Sequence, residues 1–214
     1  VIVSAHAVPL TAGEAFLTSN RLLVLDRSGR LLRTVPAPEA RFLNGLVELP
    51  SGLVLAADSV VGRIWRFDPA SGALSVWLDH PSLAADPKRP QLPGANGLKL
   101  RDGWLYVSNS VQGTLSRVRI ASERPAGAPE LVARTGAIDD FAFLPDGSIA
   151  AATHGDTLIR VAADGRISNI LANGCDGCTS VVLDRRTGRL IVLTTGKLLE
   201  GGEGTAKILS VAAP

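Results

Sequence analysis

The chain has 214 residues, 46% hydrophobic and 20% charged, a balance that supports a sizeable core and excludes a disordered chain. With 22 Lys and Arg against 20 Asp and Glu the formal net charge is +2, and no run of like charges is present to grip phosphate or anionic lipid, so a nucleic-acid partner is not expected. No apolar stretch approaches the roughly 20 residues of a bilayer-crossing helix, so the chain reads as soluble, without membrane insertion.

In chain order, the sequence opens on Val1-Ile2-Val3-Ser4-Ala5, with neither an initiator Met nor a signal peptide, and it contains no Met at all. It therefore reads as an N-terminally truncated or processed chain whose compartment, secretion included, is left open. Residues 1–40 supply strands at Val1 to Ala5, Arg21 to Asp26 and Leu31 to Val35, with no clear start of an inner strand, and read as the remainder of a cut blade. From residue 41 a pattern repeats: a polar residue, a strand, a Gly-bearing turn, a second strand and a third. Asn44-Gly45-Leu46 leads through Pro50-Ser51-Gly52 into Leu53 to Asp58, then past Gly62 into Arg63 to Asp68. Asn96-Gly97-Leu98 turns at Asp102-Gly103 into Trp104 to Asn109, then past Gly113 into Thr114 to Ile120. Asp139-Asp140-Phe141 turns at Pro145-Asp146-Gly147 into Ser148 to His154, then past Gly155 into Thr157 to Val161. A weaker copy runs from Thr179 through Thr187-Gly188 to an outer strand at Ala206 to Val211.

Units of about 40 residues with Gly, Asp and Pro at the hairpins predict an all-β chain of four-stranded propeller blades. The expected blades are 41–78, 94–134, 135–173 and 178–214, in one domain. Four blades and a partial one make an incomplete six-bladed propeller. The segment from Asp79 to Pro93 reads as a long loop of the kind that borders a pocket, and Ala121 to Pro129 as a plainer surface loop. The Gly-rich run from Glu200 to Gly204 lacks the Lys-Ser/Thr of a phosphate loop and reads as a hairpin connection. Cys175 and Cys178, in Gly-Cys-Asp-Gly-Cys, supply too few ligands for structural zinc and read as a local disulfide or two thiols.

Polar residues that start the inner strands of separate blades converge near a propeller's axis. Asn44, Asn96 and Asp139 stand at equivalent places: Asn44 lies eight residues before Gly52, and Asp139 eight before Gly147. Their oxygens are hard donors that suit Ca²⁺, with Mg²⁺, Mn²⁺ or Zn²⁺ as alternatives. As turn formers, the same residues also suit a site with no metal. His154, Asn109 and His6 are further candidates for a small-molecule substrate pocket. Asp58 and Asn109 end equivalent strands, where a turn or blade-to-blade hydrogen bond is the expected duty. No Gly-x-Ser-x-Gly elbow is present. Nothing in the sequence sets the oligomeric state.

Pro93-Gly94-Ala95-Asn96-Gly97-Leu98, followed by Trp104-Leu105-Tyr106-Val107-Ser108-Asn109-Ser110, resembles the central signature of the senescence marker protein, gluconolactonase and luciferin-regenerating enzyme family. Phe42-Leu43-Asn44-Gly45 and Ile138-Asp139-Asp140-Phe141 resemble its flanking blades, and the similarity runs over about residues 41 to 200. The resemblance, to a divergent branch, implies a six-bladed fold with one divalent cation on the axis, held by a Glu, two Asn and an Asp. Asn44 and Asn96 match the asparagines and Asp139 the aspartate. The Glu has no match here, and the family often has Asn-Asp-Gly where this chain reads Asn44-Gly45-Leu46. The implied activity is lactone hydrolysis, with Asp139 as metal ligand and general base. The alternatives are a metal-independent propeller enzyme of secondary metabolism, strictosidine-synthase-like or pericyclase-like, and a non-enzymatic ligand-binding propeller.

Overall fold

The computed structural model describes residues 1–9, 12–89, 92–196 and 204–214. The Gly-rich run at 200–204 lies almost wholly outside them. The chain begins with β1 (Ile2–His6), one helical turn α1 (Glu14–Leu17), β2 (Asn20–Leu25) and β3 (Leu31–Pro36), which form a three-stranded antiparallel sheet in chain order. The second sheet is β4 (Leu43–Glu48), β5 (Val54–Asp58), β6 (Val61–Phe67) and β7 (Leu74–Ala84). The third holds β8 (Ala95–Arg101), β9 (Trp104–Asn109), β10 (Thr114–Ala121) and β11 (Arg124–Pro125), with β12 (Glu130–Arg134) also paired to β10. The fourth is β13 (Phe141–Phe143), β14 (Ile149–Ala152), β15 (Leu158–Val161) and β16 (Ile167–Leu171), and the last β17 (Cys178–Asp184), β18 (Arg189–Thr194) and β19 (Ile208–Ala212).

This is an all-β propeller fold, but the described strands make five sheets, not the four and a partial one of an incomplete six-bladed ring. The segment 1–40 is a blade in its own right. Its first hairpin is hard to see in the sequence because α1 sits in the connection from His6 to Asn20, where the other blades have a short turn. Its first strand starts at Ile2 and is apolar there, unlike the strands marked by Asn44 and Asn96. Local turn chemistry explains the clearer repeats. Asp102 and Gly103 both have positive φ, 51° and 76°, as the two central residues of a type I′ hairpin require, and they join β8 directly to β9.

Half of the expected loop from Asp79 to Pro93 is strand, since β7 continues to Ala84 and pairs Val61 with Ala84. Gly62 allows this: a Cβ there would stand 2.7 Å from the Ala84 nitrogen and 2.8 Å from the His80 carbonyl. The loop from Ala121 to Pro129 likewise contains β11, and its Glu123 carbonyl accepts the Trp77 indole N–H at 2.8 Å.

The chain divides into two compact units, Val1–Val107 with Val118–Pro129 and Ser108–Arg117 with Glu130–Pro214. The first unit has two apolar clusters. One packs Leu55, Ile64 and Trp77 on Leu98, Leu105 and Val118; the other packs Leu22 and Val35 on Leu43, Trp65 and Phe67. The second unit has its own core of Leu144, Leu158, Val181, Leu190 and Val192, into which the Cys175–Cys178 disulfide is buried. The middle strands β5 (VLAAD) and β14 (IAAA) are buried at every position, so both of their faces are covered and alanine fits where bulk would not. Among the described residues no helix is long and apolar enough to cross a membrane.

Candidate functional site

In the first unit Asn44 and Asn96 lie on first strands that pack side by side, β4 against β8. The backbones approach so closely that a Cβ on Gly45 would fall 2.2 Å from the Asn96 carbonyl oxygen, so the residue after Asn44 must be glycine. The Asn44 amide Nδ2 donates to Ser59 Oγ at 3.2 Å, and Ser59 Oγ donates to the Ala95 carbonyl at 2.7 Å. With its NH₂ committed to Ser59, the Asn44 amide has its oxygen as the remaining polar atom, the donor type a hard cation takes. Asn96 is only 2% exposed.

His6 closes β1 in the same unit. Its ring stacks on Phe16 at 3.7 Å and meets Phe42 edge-on at 5.4 Å, and its Nδ1–H donates to the Phe16 carbonyl at 3.1 Å. Burial, joined by the nearby Arg21 charge, lowers its pKa against the opposing pull of the Phe16 carbonyl. The neutral ring thus serves as an aromatic packing element. Asp58, fully buried, accepts the backbone N–H groups of Arg41, Phe42 and Val60 and the Trp65 indole N–H at 2.8–3.2 Å. It is the polar anchor of its sheet, in line with the hydrogen-bonding duty its position suggests.

Asp139, in the second unit, sits in the segment that enters β13, with 9% of its surface exposed. Its backbone is tied down on two sides. The Asp139 N–H donates to the Ala152 carbonyl at 2.8 Å, and the Asp139 carbonyl accepts from Ser108 Oγ at 2.8 Å. Its carboxylate Oδ2 accepts the Thr179 hydroxyl at 2.6 Å and lies 3.3 Å from His154 Nδ1. The neighbouring Asp140 does different work: its Oδ2 accepts Ser180 Oγ at 2.8 Å and the Val181 N–H at 3.3 Å, which pins β17 beside β13. Of the tandem acids, only Asp139 is set against an imidazole.

His154 follows β14 and has φ of +63°, a left-handed conformation uncommon for a residue other than glycine. Its backbone N–H donates to the Cys178 carbonyl at 2.9 Å, and its Nε2 lies 3.0 Å from Ser110 Oγ. Asn109 is 1% exposed and its Oδ1 accepts the Gln112 N–H at 3.0 Å, the bond of a turn-forming Asn at a strand end. Asp139 and His154 therefore meet directly, and Asn109 lies one residue from Ser110.

Ser110 and Thr179 were not singled out from the sequence, although Ser110 ends the Ser-Asn-Ser of the central signature. They lie 44 residues from His154 and 40 from Asp139, and only the folded chain reveals such partners. Among the described residues, no three His, Cys, Asp or Glu side chains group to hold a metal ion.

No protein-family model and no curated protein matches the sequence. Solved structures do match. A gluconolactonase of Xanthomonas campestris superposes with a TM-score of 0.62 at 15% identity, over 90% of this chain and 65% of its own. A luciferin-regenerating enzyme gives 0.63 at 14% identity, over 92% of this chain and 72% of its own. The fold is that of the gluconolactonase-type propellers. A calcium-binding protein, regucalcin, of Agrobacterium tumefaciens also has this fold, with a TM-score of 0.59 at 16% identity over 92% of this chain and 72% of its own. This chain thus spans about two thirds of the gluconolactonase and somewhat more of the other two. At such identities, gluconolactonase-type describes the architecture and leaves the chemistry to be argued from side chains.

Proposed function

We propose that this chain is a hydrolase of the gluconolactonase-like family that opens a lactone, a small-molecule carboxylic ester, with the help of a divalent cation, Ca²⁺ by donor type. The observation that carries the reading is Asp139: a nearly buried carboxylate whose backbone and Oδ2 are both fixed, with a histidine beside it. Asp139 is the proposed working carboxylate and oxygen ligand, and Asn44 and Asn96 are candidate oxygen donors by type. When bound, the cation supplies Lewis-acid polarisation of the lactone carbonyl.

The remaining chemistry belongs to the chain. Asp139 accepts a proton from the attacking water as that water adds to the carbonyl carbon, and it returns the proton to the ring oxygen as the C–O bond breaks. Low exposure around the carboxylate strengthens its electrostatic influence on that water. The direct test follows acid release from a sugar δ-lactone by pH-stat. Asp139→Asn is expected to lower turnover about 100-fold or more, and chelator is expected to abolish it until Ca²⁺ is restored. Full turnover by a folded Asp139→Asn protein defeats the reading.

A second reading, a cation-independent propeller enzyme, is favoured by the imidazole that stands 3.3 Å from the Asp139 carboxylate, a pair able to move a proton by itself. Turnover that persists in excess chelator yet fails in Asp139→Asn selects it.

A further inference from the structure

We infer that His154 is the positioning residue of Asp139, and that Ser110 holds the imidazole in the orientation that this work needs. The inference deepens the proposed function and rests on Asp139 as the working carboxylate.

Three polar side chains from three separate parts of the second unit form one chain. Ser110 follows β9, Asp139 precedes β13 and His154 follows β14. Ser110 Oγ lies 3.0 Å from His154 Nε2, and His154 Nδ1 lies 3.3 Å from Asp139 Oδ2. The serine is 1% exposed, while the side chains of His154 and Asp139 keep 17% and 12% of their surface. Ser110 is thus the buried end of the chain, while the imidazole and the carboxylate keep partial access to solvent. That order suits Ser110 to anchoring, not to attack on a substrate.

The Ser110 hydroxyl donates to the Ile138 carbonyl at 2.8 Å and lies 3.0 Å from Nε2, so one hydroxyl ties the ring to the residue before Asp139. A carboxylate oxygen only accepts. A hydrogen on Nδ1 therefore suits the 3.3 Å approach to Asp139 Oδ2, whereas a bare Nδ1 would set two lone-pair atoms against each other across that gap.

The backbone supports the same assignment. At φ of +63° a glycine or asparagine is the less costly residue, by about 1 kcal/mol. The imidazole is what a histidine adds there. Its main-chain N–H bonds the Cys178 carbonyl, and the next residue, Thr179, gives its hydroxyl to the same carboxylate oxygen as the imidazole. Two groups on one oxygen, the Thr179 hydroxyl and the imidazole, oppose rotation of the carboxylate about its Cβ–Cγ bond.

The test uses His154→Gly, which suits the left-handed backbone, with Ser110→Ala, Ser110→Thr and Asp139→Asn, on the full chain. Lactone turnover by His154→Gly should fall about 10- to 100-fold in kcat with KM within about twofold, the size seen when a supporting hydrogen-bond partner is removed. Added imidazole should restore part of that loss in His154→Gly and none in Asp139→Asn, and Ser110→Thr should stay closer to the parent than Ser110→Ala. Unchanged kcat in His154→Gly beside an inactive Asp139→Asn overturns the positioning role alone. Full turnover in Asp139→Asn overturns the proposed function instead.

A readout independent of turnover is ¹⁵N imidazole NMR, with the His154 signal assigned by its loss in His154→Gly. The parent should carry a hydrogen on Nδ1, and Asp139→Asn should shift that nitrogen's signal. A bare Nδ1 in the parent overturns the inference whatever the substrate.

Discussion

Asp58 in the first unit and Asp139 in the second are both buried carboxylates next to a strand of small residues, yet their surroundings differ in kind. Asp58 is surrounded by N–H donors: three backbone amides and the Trp65 indole share its two oxygens. Loss of the carboxylate would take one acceptor from all four donors at once, so the group is part of the fold. Asp139 meets a hydroxyl and an imidazole, partners that can reorient or exchange a proton, and it keeps a window to the surface. Of these two buried acids, the one with the fixed donors holds structure and the one with the adaptable donors is the one proposed for chemistry.

The sharpest way to break this comparison is to remove each carboxylate and measure stability by urea denaturation. Asp58→Ala strands several buried N–H groups and is expected to cost about 3 kcal/mol or more. Asp139→Asn keeps an oxygen for Thr179 and is expected to change stability by less than about 1 kcal/mol while removing activity. Equal losses at the two positions would erase the distinction. Next in size is Gly45→Ala, where the added methyl would collide with the Asn96 carbonyl 2.2 Å away; overpacking of this kind costs about 2 kcal/mol. A neutral result would mean that β4 and β8 can part freely, and that the Asn44 and Asn96 setting is looser than described.

The smallest expected effect concerns a third kind of carboxylate. Exposed Asp146, in the β13–β14 turn, has its pKa lowered from 3.8 to about 2, first by the Ser148 hydroxyl and then by the Ser148 N–H, with Arg160 adding its own bond. A folded-state pKa below the unfolded one means that the ionised form is favoured by folding. Its contribution is complete above 3.8 and disappears as pH falls through about 2. The difference in Tm between the parent and Asp146→Asn should therefore be small at neutral pH and close over that acid window. A gap that widened in acid would contradict the assignment.

Much of the architecture was legible because hairpins are written locally. Asp102-Gly103 specifies its own turn, and the strand-turn-strand spacing after Asn44, Asn96 and Asp139 repeats closely enough to align. The first blade was obscured by the helical turn Glu14–Leu17 in its hairpin, and the extension of β7 by a Pro- and Asp-containing stretch that looks like loop until its pairing with Val61 is known. Within the candidate site, register was enough to single out Asp139, and His154 was visible at the end of its strand. Ser110 and Thr179 were not, because a serine or threonine has no local signature of the partner it will meet some 40 residues away. The same limit hid the partners of Asp140, Ser180 and the Val181 amide.

That adjacent pair has a mechanical consequence. Two acids in succession on an extended segment reach in opposite directions, one toward Thr179 and His154, the other toward Ser180 and the Val181 amide. The carboxylate proposed for reaction and the rivet that joins neighbouring sheets thus ride on a single dipeptide. Any strain that shifts one must drag the other, so loosening at this seam would dull the site well before the second unit came apart.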